Sequence, residues 1–356
     1  MIKRRETKTV RAGKVHIGSG YPVSIQSMTK TDTRDVEATL KQVRELENCG
    51  CEIIRVAVKD MRAAEAVGKI KDAARVPIVA DIHFDHKLAL EVMRKGVDKI
   101  RINPGNMTKK DDLDRIIDAA GSKDIPVRIG VNSGSLPGGK VEHHRVPGTM
   151  VKLALETAEL FKKRNFENIV ISLKAADVLS TIEAYRQISA DNEYPLHLGV
   201  TASGLPGEGV VSSSVGIGAL LSEGIGDTIR VSLTGDPVNE VVAAKRILTS
   251  LGLRNFGPRI ISCPTCGRCS TDIVAIAREL ETELQNLVEQ GSIPADKQLI
   301  IAVMGCEVNG PGESKNADIG IAFGSDKGVI FAKGEVVKTV NPGESVSELV
   351  AMIKEL

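Results

Sequence analysis

Three of the chain's six cysteines fall within seven positions, in "ISCPTCGRCSTD" (261 to 272), and a fourth stands in "MGCEVNGPGE". Cys263 and Cys266 have C-x-x-C spacing, Cys269 follows three residues on, and Cys306 is accompanied by Glu313 rather than by a second cysteine. Thiolates so spaced hold either zinc or an iron–sulfur cluster, and a nonstandard ligand is one way to leave an iron available for chemistry. Gly310, Pro311 and Gly312 would give a tight turn able to bring Glu313 back toward Cys306, although an ordinary loop explains the same residues. Zinc and iron–sulfur both stay open at this point. Cys49 and Cys51, at a helix-to-strand junction, read as buried small hydrophobes.

A second set of reactive side chains recurs at the ends of apolar runs: Arg55, Asp81 and His83, Arg101 and Asn103, Arg128 and Asn132, Ser172 and Lys174, and Arg230 with Ser232. One arginine in such a place is ordinarily solvated or salt-bridged, but five cations on five runs imply a common target. Arginine offers a planar fork of donors suited to phosphate, and lysine adds a point charge. The implied ligand is a small molecule with several negative charges, a diphosphate above all. His83, in "ADIHFD", is either a hydrogen-bonded structural residue or a substrate contact. Two other readings use the same residues: a Schiff-base aldolase or isomerase working through Lys174, and a phosphate-binding barrel carrying a zinc-stapled interaction module.

Those residues need a scaffold, and its elements are legible. Eight strand-like runs alternate with amphipathic segments: 21–28, 51–58, 76–84, 97–104, 125–132, 167–174, 194–201 and 226–233. "DVEATLKQVRELENCG" has apolar residues at helical spacing and ends at Gly50, and "GTMVKLALETAELFKKRN" closes with basic residues that complement the helix dipole. Eight β-then-α units predict an α/β fold, a TIM (β/α)8 barrel over residues 1–251, with its active face at the C-terminal strand ends. The first twenty residues predict a hairpin that plugs the barrel. From 252 to 356 strands crowd together around one long helix and a terminal one, which predicts a smaller α+β domain that holds the clustered cysteines.

Composition narrows the function. Lys+Arg number 47 against 46 Asp+Glu, a net charge of +1, so nothing marks a nucleic-acid or anionic-membrane partner. With 42% hydrophobic but only 3% aromatic residues, Val, Ile, Leu and Ala are expected to fill the core, as suits parallel sheets. No apolar segment follows the basic N-terminus and no run is long enough to span a membrane, so the expected address is cytoplasmic. In a reducing compartment a cysteine cluster points to metal or redox chemistry before disulfides.

"QSMT", "ADIHFD", "RINPGN", "LHLGVT", "GIGDTIRVSLTGDP", "SCPTCGR" and "GCEVNGPGE" occur in order over nearly the whole chain. In this it resembles the 4-hydroxy-3-methylbut-2-en-1-yl diphosphate synthase family of the methylerythritol phosphate route to isoprenoids, in its compact two-domain form. The resemblance implies an oxidoreductase that opens and reduces 2-C-methyl-D-erythritol 2,4-cyclodiphosphate with two electrons. These come from ferredoxin or flavodoxin through a 4Fe-4S cluster. It also implies Cys263, Cys266, Cys306 and Glu313 as cluster ligands, leaving Cys269 outside the set. The barrel-mouth residues Arg55, Asp81, His83, Arg101, Asn103, Arg128, Asn132, Ser172, Lys174, Arg230 and Ser232 become the diphosphate grip. Glu313, Lys174 and His83 are the catalytic candidates. The chain departs from the family at one place: where members carry a glutamate after "HLGVT", it has Ala202. Glu208, six residues on in a Gly- and Pro-rich loop, is the expected substitute acid and the fourth catalytic candidate.

Geometry adds an expectation about assembly. The eighth barrel helix, in "DPVNEVVAAKRILTSLG", starts at the active face and descends ~20 to 25 Å. The following "LRNFGP" can span at most ~20 Å. A chain's own cluster is therefore not expected at its own barrel mouth, and a head-to-tail homodimer with shared sites follows.

Overall fold

The computed structural model describes every residue except 1, 108, 138–140, 202–203, 270, 295–296, 307–316 and 325–326. Glu313 and Ala202 lie outside the described residues. The chain divides into two compact units, Met1–Arg254 and Asn255–Leu356.

The first unit opens with an antiparallel hairpin, β1 (Val10–Ala12) and β2 (Val15–Ile17). Eight strand–helix pairs follow: β3 (Ser24–Met28) and α1 (Val36–Asn48), β4 (Ile53–Ala57) and α2 (Met61–Ala73), β5 (Ile78–Ile82) and α3 (His86–Arg94), β6 (Lys99–Ile102) and α4 (Lys110–Lys123). The series continues with β7 (Val127–Asn132) and α5 (Val146–Lys162), β8 (Ile169–Lys174) and α6 (Val178–Asp191), β9 (His197–Leu198) and α7 (Pro206–Ser222), β10 (Thr228–Ile229) and α8 (Val238–Ser250). The parallel strands run in the order β8-β7-β6-β5-β4-β3-β10-β9, and a bridge from Ile171 to Leu196 brings the two edges together. This is the expected TIM barrel.

Local chemistry explains the helix starts. Asp35, Asp60, Asp85 and Asp177 each turn a carboxylate back onto a first-turn amide, of Ala38, Ala63, Lys87 and Ser180. β9 and β10 keep only two ladder residues of the eight expected in each run. Before β10, Gly226 at φ +121° turns the chain in a way that only glycine adopts readily.

Aliphatic residues fill the layer between strands and helices as expected, with Ile54, Ile78, Ile100, Ile129 and Ile171 fully buried. The barrel lumen is different. Alternation along each strand turns Ser24, Gln26, Lys99, Arg101, Arg128, Ser172, His197 and Thr228 inward, and all are buried. The expected aliphatic core therefore describes the helix-facing side of the sheet and, on the inward side, only the floor. At the floor, Ile53, Val79 and Val170 pack against Val10, Ala12 and Ile17 of the hairpin, which shuts that end with apolar surface as the plug expectation requires. Cys51 is buried, and burial pushes its thiol up to about 12, whereas Cys49 is only half-buried, contrary to its reading as a core residue.

The second unit is a five-stranded sheet of order β11 (Arg259–Ser262), β12 (Ile300–Met304), β13 (Ile319–Phe323), β14 (Gly328–Ala332) and β15 (Glu335–Val340). The first two pairings are parallel and the last two antiparallel. Helices α9 (Ile273–Glu289) and α10 (Ser345–Glu355) share one apolar cluster with the sheet, including Leu280, Leu284, Ile301, Ile321 and Leu349.

Candidate functional site

Parallel strands in register bring the predicted residues of the barrel together. Asp81 lies opposite Arg101, and Arg101 opposite Arg128. One guanidinium nitrogen of Arg101 donates to Asp81 (3.0 Å) and approaches Nε2 of His83 (2.9 Å), and another donates to the carbonyl of Gly130 (3.0 Å). Nε2 of His83 also lies 3.5 Å from the Asp81 carboxylate, and Nδ1 faces the side-chain amide nitrogen of Asn106 at 3.2 Å. His83 is thus a hydrogen-bonded residue that stays partly exposed at the mouth.

Asp81 is flanked by Arg55 at 3.7 Å and Arg101 at 3.0 Å. Burial alone would raise its carboxyl, but Arg55, His83 and Arg101 outweigh it and hold the group well below the usual carboxylate range. Arg55 directs Nε and Nη2 onto the thioether of Met28 at 3.1 and 3.0 Å. A thioether is a weak acceptor, so this fork is poised for a better one. Arg128 is buried with Nε and Nη1 unpartnered among the described residues. Lys174, at the end of β8, has its ammonium pushed well down by burial and by Arg128, Arg230, Arg55 and Arg101.

Two close approaches keep these cations in place. A Cβ at Gly130 would fall 2.5 Å from Nε of Arg101, and one at Gly199 would fall 2.5 Å from Nζ of Lys174 and 2.6 Å from the carbonyl of Arg230. Ser172 is buried beside Gly130, and Ser232 is half-buried next to the strand end of Arg230. Asn103 braces the loop after β6, donating to Ser135 at 2.8 Å and accepting from the amide of Gly105 at 3.2 Å. Asn132 ends β7, where its carbonyl accepts from Ser135. Glu208 sits exposed in the first turn of α7, not in a loop as expected.

Sequence reasoning missed Glu240, Lys30, Lys99, Gln26 and His197. Glu240, buried on α8, takes Arg230 at 3.2 Å, Lys30 at 2.9 Å, Ser27 at 2.9 Å and the Leu233 amide at 3.1 Å. Burial opposes its ionisation, but Arg230 and Lys30 outweigh that and lower the carboxyl. Nothing near residue 240 in the sequence announces this. For Lys99 a signal existed: in "KIRIN" the polar residues fall on alternate positions of a strand, the pattern of one polar face.

In the second unit, Cys263 follows β11 and Cys306 stands just beyond the end of its parallel neighbour β12. The amide of Gly305 donates to Sγ of Cys263 at 3.2 Å. A Cβ at Gly305 would lie 3.3 Å from that sulfur and 2.4 Å from Sγ of Cys269, so only glycine leaves room there. Cys266 is exposed, and Cys269 donates to the carbonyl of Thr271 at 3.1 Å. All six cysteines are thiols. Among the described residues, no three His, Cys, Asp or Glu side chains are gathered closely enough to hold an ion. The donor set nonetheless suits an iron–sulfur centre, whose sulfur ligands are tuned by amide hydrogen bonds of this kind.

A model of the GcpE TIM-barrel domain matches residues 7–245, and one of the GcpE protein C-terminal domain matches residues 259–355. The chain is 50% identical to the 4-hydroxy-3-methylbut-2-en-1-yl diphosphate synthase (flavodoxin) of Thermodesulfovibrio yellowstonii, over 100% of both chains. It is 48% identical to the enzyme of the same name from Clostridium perfringens, again over 100% of both. Among solved structures, dihydropteroate synthase from Stenotrophomonas maltophilia aligns with TM-score 0.54 at 14% identity, over 69% of this chain and 98% of that one. The enzyme from Xanthomonas albilineans aligns with TM-score 0.51 at 11% identity, over 68% and 97%. These two share the barrel fold alone. With both of its domains matched in order over nearly the full length, the chain belongs to the GcpE family.

Proposed function

We propose that the chain is a 4-hydroxy-3-methylbut-2-en-1-yl diphosphate synthase that reductively opens 2-C-methyl-D-erythritol 2,4-cyclodiphosphate. Its electrons come from flavodoxin and pass through a 4Fe-4S cluster on Cys263, Cys266, Cys306 and Glu313. The observation that carries this reading is a barrel mouth where Arg55, Arg101, Arg128, Lys174 and Arg230 gather around Asp81 and Glu240, in a chain whose second unit presents thiols at adjacent strand ends.

The division of labour follows from the contacts. Asp81 orients Arg55 and Arg101, and Glu240 orients Arg230, so that the forks face a diphosphate already aligned. Lys174, held between Gly199 and the other cations that push its ammonium down, adds a point charge once the diphosphate offsets those cations. The bound cluster would supply the two electrons with which two carbon–oxygen bonds break, the ring bond to the phosphate and the bond to the departing hydroxyl, as the carbon–carbon double bond of the product forms; the freed phosphate oxygen keeps its electron pair as an anion. The departing hydroxyl leaves as water and needs a proton; with Ala202 in place of the family glutamate, we assign that donation to Glu208. Glu208→Gln is then expected to lower the steady-state rate by ~100- to 10,000-fold with iron content unchanged. A rate within about threefold of the parent removes Glu208 from the mechanism.

The deciding experiment is anaerobic purification followed by iron and acid-labile sulfide analysis. Brown protein with about four irons per chain is expected. Colourless protein with stoichiometric zinc sinks the reading. Gly199→Ala, which must displace Lys174 or the Arg230 backbone, is expected to reduce kcat/KM on the order of 100-fold while leaving iron intact. In the proposed head-to-tail homodimer, mixing inactive Arg230→Ala with inactive Cys263→Ser restores partial activity. Mixed dimers that form and stay inactive exclude a shared site.

A further inference from the structure

Below the cations of the mouth lies a layer of the lumen that the proposed chemistry does not use. Lys99 is fully buried on β6, two residues before Arg101, and its Nζ has no hydrogen-bond partner among the described residues. Both ring nitrogens of His197 and both amide atoms of Gln26 share that condition, as do Nε and Nη1 of Arg128 in the mouth above. Buried polar groups in native proteins almost always have partners, so a set of them on one lumen marks a place where something binds.

The surroundings of Lys99 say what. Its register partner on β5 is Val79, part of the apolar floor closed by the hairpin, so among the described residues no counter-charge reaches it from below. Facing it from the other strands are Arg55 on β4, Arg128 on β7 and His197 on β9, all cations or potential cations. The carboxylates nearby are engaged elsewhere: Asp81 with Arg55 and Arg101, Glu240 with Arg230 and Lys30, and Asp98 with the Ile78 amide. A buried ammonium without an anion is strongly disfavoured, and burial together with Arg128 and Arg55 pushes Lys99 down to about 7. Any anion brought among Arg55, Arg128 and Lys174 reverses that field.

We propose that Lys99 is a conditional sixth cation of the diphosphate site, neutral in the empty barrel and protonated when the diphosphate occupies it. The proposal rests on the diphosphate reading above. Binding then takes a proton from solution, and Lys99 acts as a positioning residue whose charge appears only under substrate. The empty lumen is spared one more unpaired charge, and the filled one gains a donor beneath the phosphates. The sign follows from linkage: affinity is full below pH 7 and falls as pH rises, because the proton must then be drawn from a more dilute supply.

The test is calorimetry on anaerobic, unreduced holoenzyme titrated with 2-C-methyl-D-erythritol 2,4-cyclodiphosphate at pH 8, in two buffers of different ionisation enthalpy. The phosphates of this ligand do not titrate near pH 8, so protons counted belong to the protein. The parent is expected to take up about one proton more per substrate than Lys99→Met. Its Kd should weaken by up to about tenfold per pH unit between pH 7 and 9, against a flatter profile for the variant. Lys99→Arg, which cannot lose its proton, is expected to bind without the extra uptake. Equal uptake in parent and variants overturns the assignment, as does zero uptake by the parent should neither variant fold. A parent that fails to bind the cyclodiphosphate overturns the diphosphate reading and this proposal together.

Discussion

Cys263→Ser, Cys266→Ser and Cys306→Ser are each expected to lose the cluster, with iron falling from about four to below about one per chain and activity lost with it. A hydroxyl is a hard, weakly acidic donor and cannot replace a soft thiolate on iron. Cys269→Ser is expected to keep both iron and activity. Its sulfur is committed to the Thr271 carbonyl and packs against the apolar cluster under the sheet, although it borders the same glycine as Cys263. Iron analysis and the visible spectrum of the four anaerobic proteins decide the matter. Full occupancy in Cys306→Ser contradicts the ligand set, and iron loss in Cys269→Ser would make that thiol a ligand in its own right.

The second large effect concerns stability. Asp81→Asn leaves Arg55 and Arg101 buried without the carboxylate between them, and removing one partner of a buried ion pair costs roughly 3–5 kcal/mol. For a barrel of this size a fall in Tm of about 10 °C is expected. The pH dependence has a definite sign. The folded carboxyl sits well below its unfolded value near 4, so its stabilisation is complete above that value and is lost as pH falls through the folded value. The gap in Tm between parent and variant should therefore be constant from pH 5 to 8 and narrow below about pH 4. Pyrophosphate, as a replacement anion, should raise the Tm of the variant more than that of the parent. A variant as stable as the parent at pH 7 would show that Asp81 does not neutralise the array.

The barrel was legible in the sequence because its signals are local. Apolar runs of strand length, amphipathic segments between them and aspartates at helix starts such as Asp35 and Asp177 act over a few residues, and the closed ring follows from their number. The convergence of Arg55, Arg101, Arg128, Lys174 and Arg230 was legible for a related reason, since parallel strands in register carry their C-terminal ends to one face. What the sequence by itself could not decide is which buried face a residue occupies. In a closed parallel barrel both faces of every strand are hidden from solvent, so Lys99, His197 and Gln26 look like exposed polar residues until closure turns them into the lumen. Nor could it join Glu240 to Arg230, Lys30 and Ser27, because that pairing spans as many as 213 positions and depends on α8 closing against β3 and β10. Tertiary structure alone made a buried, nearly anion-free lumen out of side chains that are individually unremarkable, since a charge becomes costly only when distant strands remove its water.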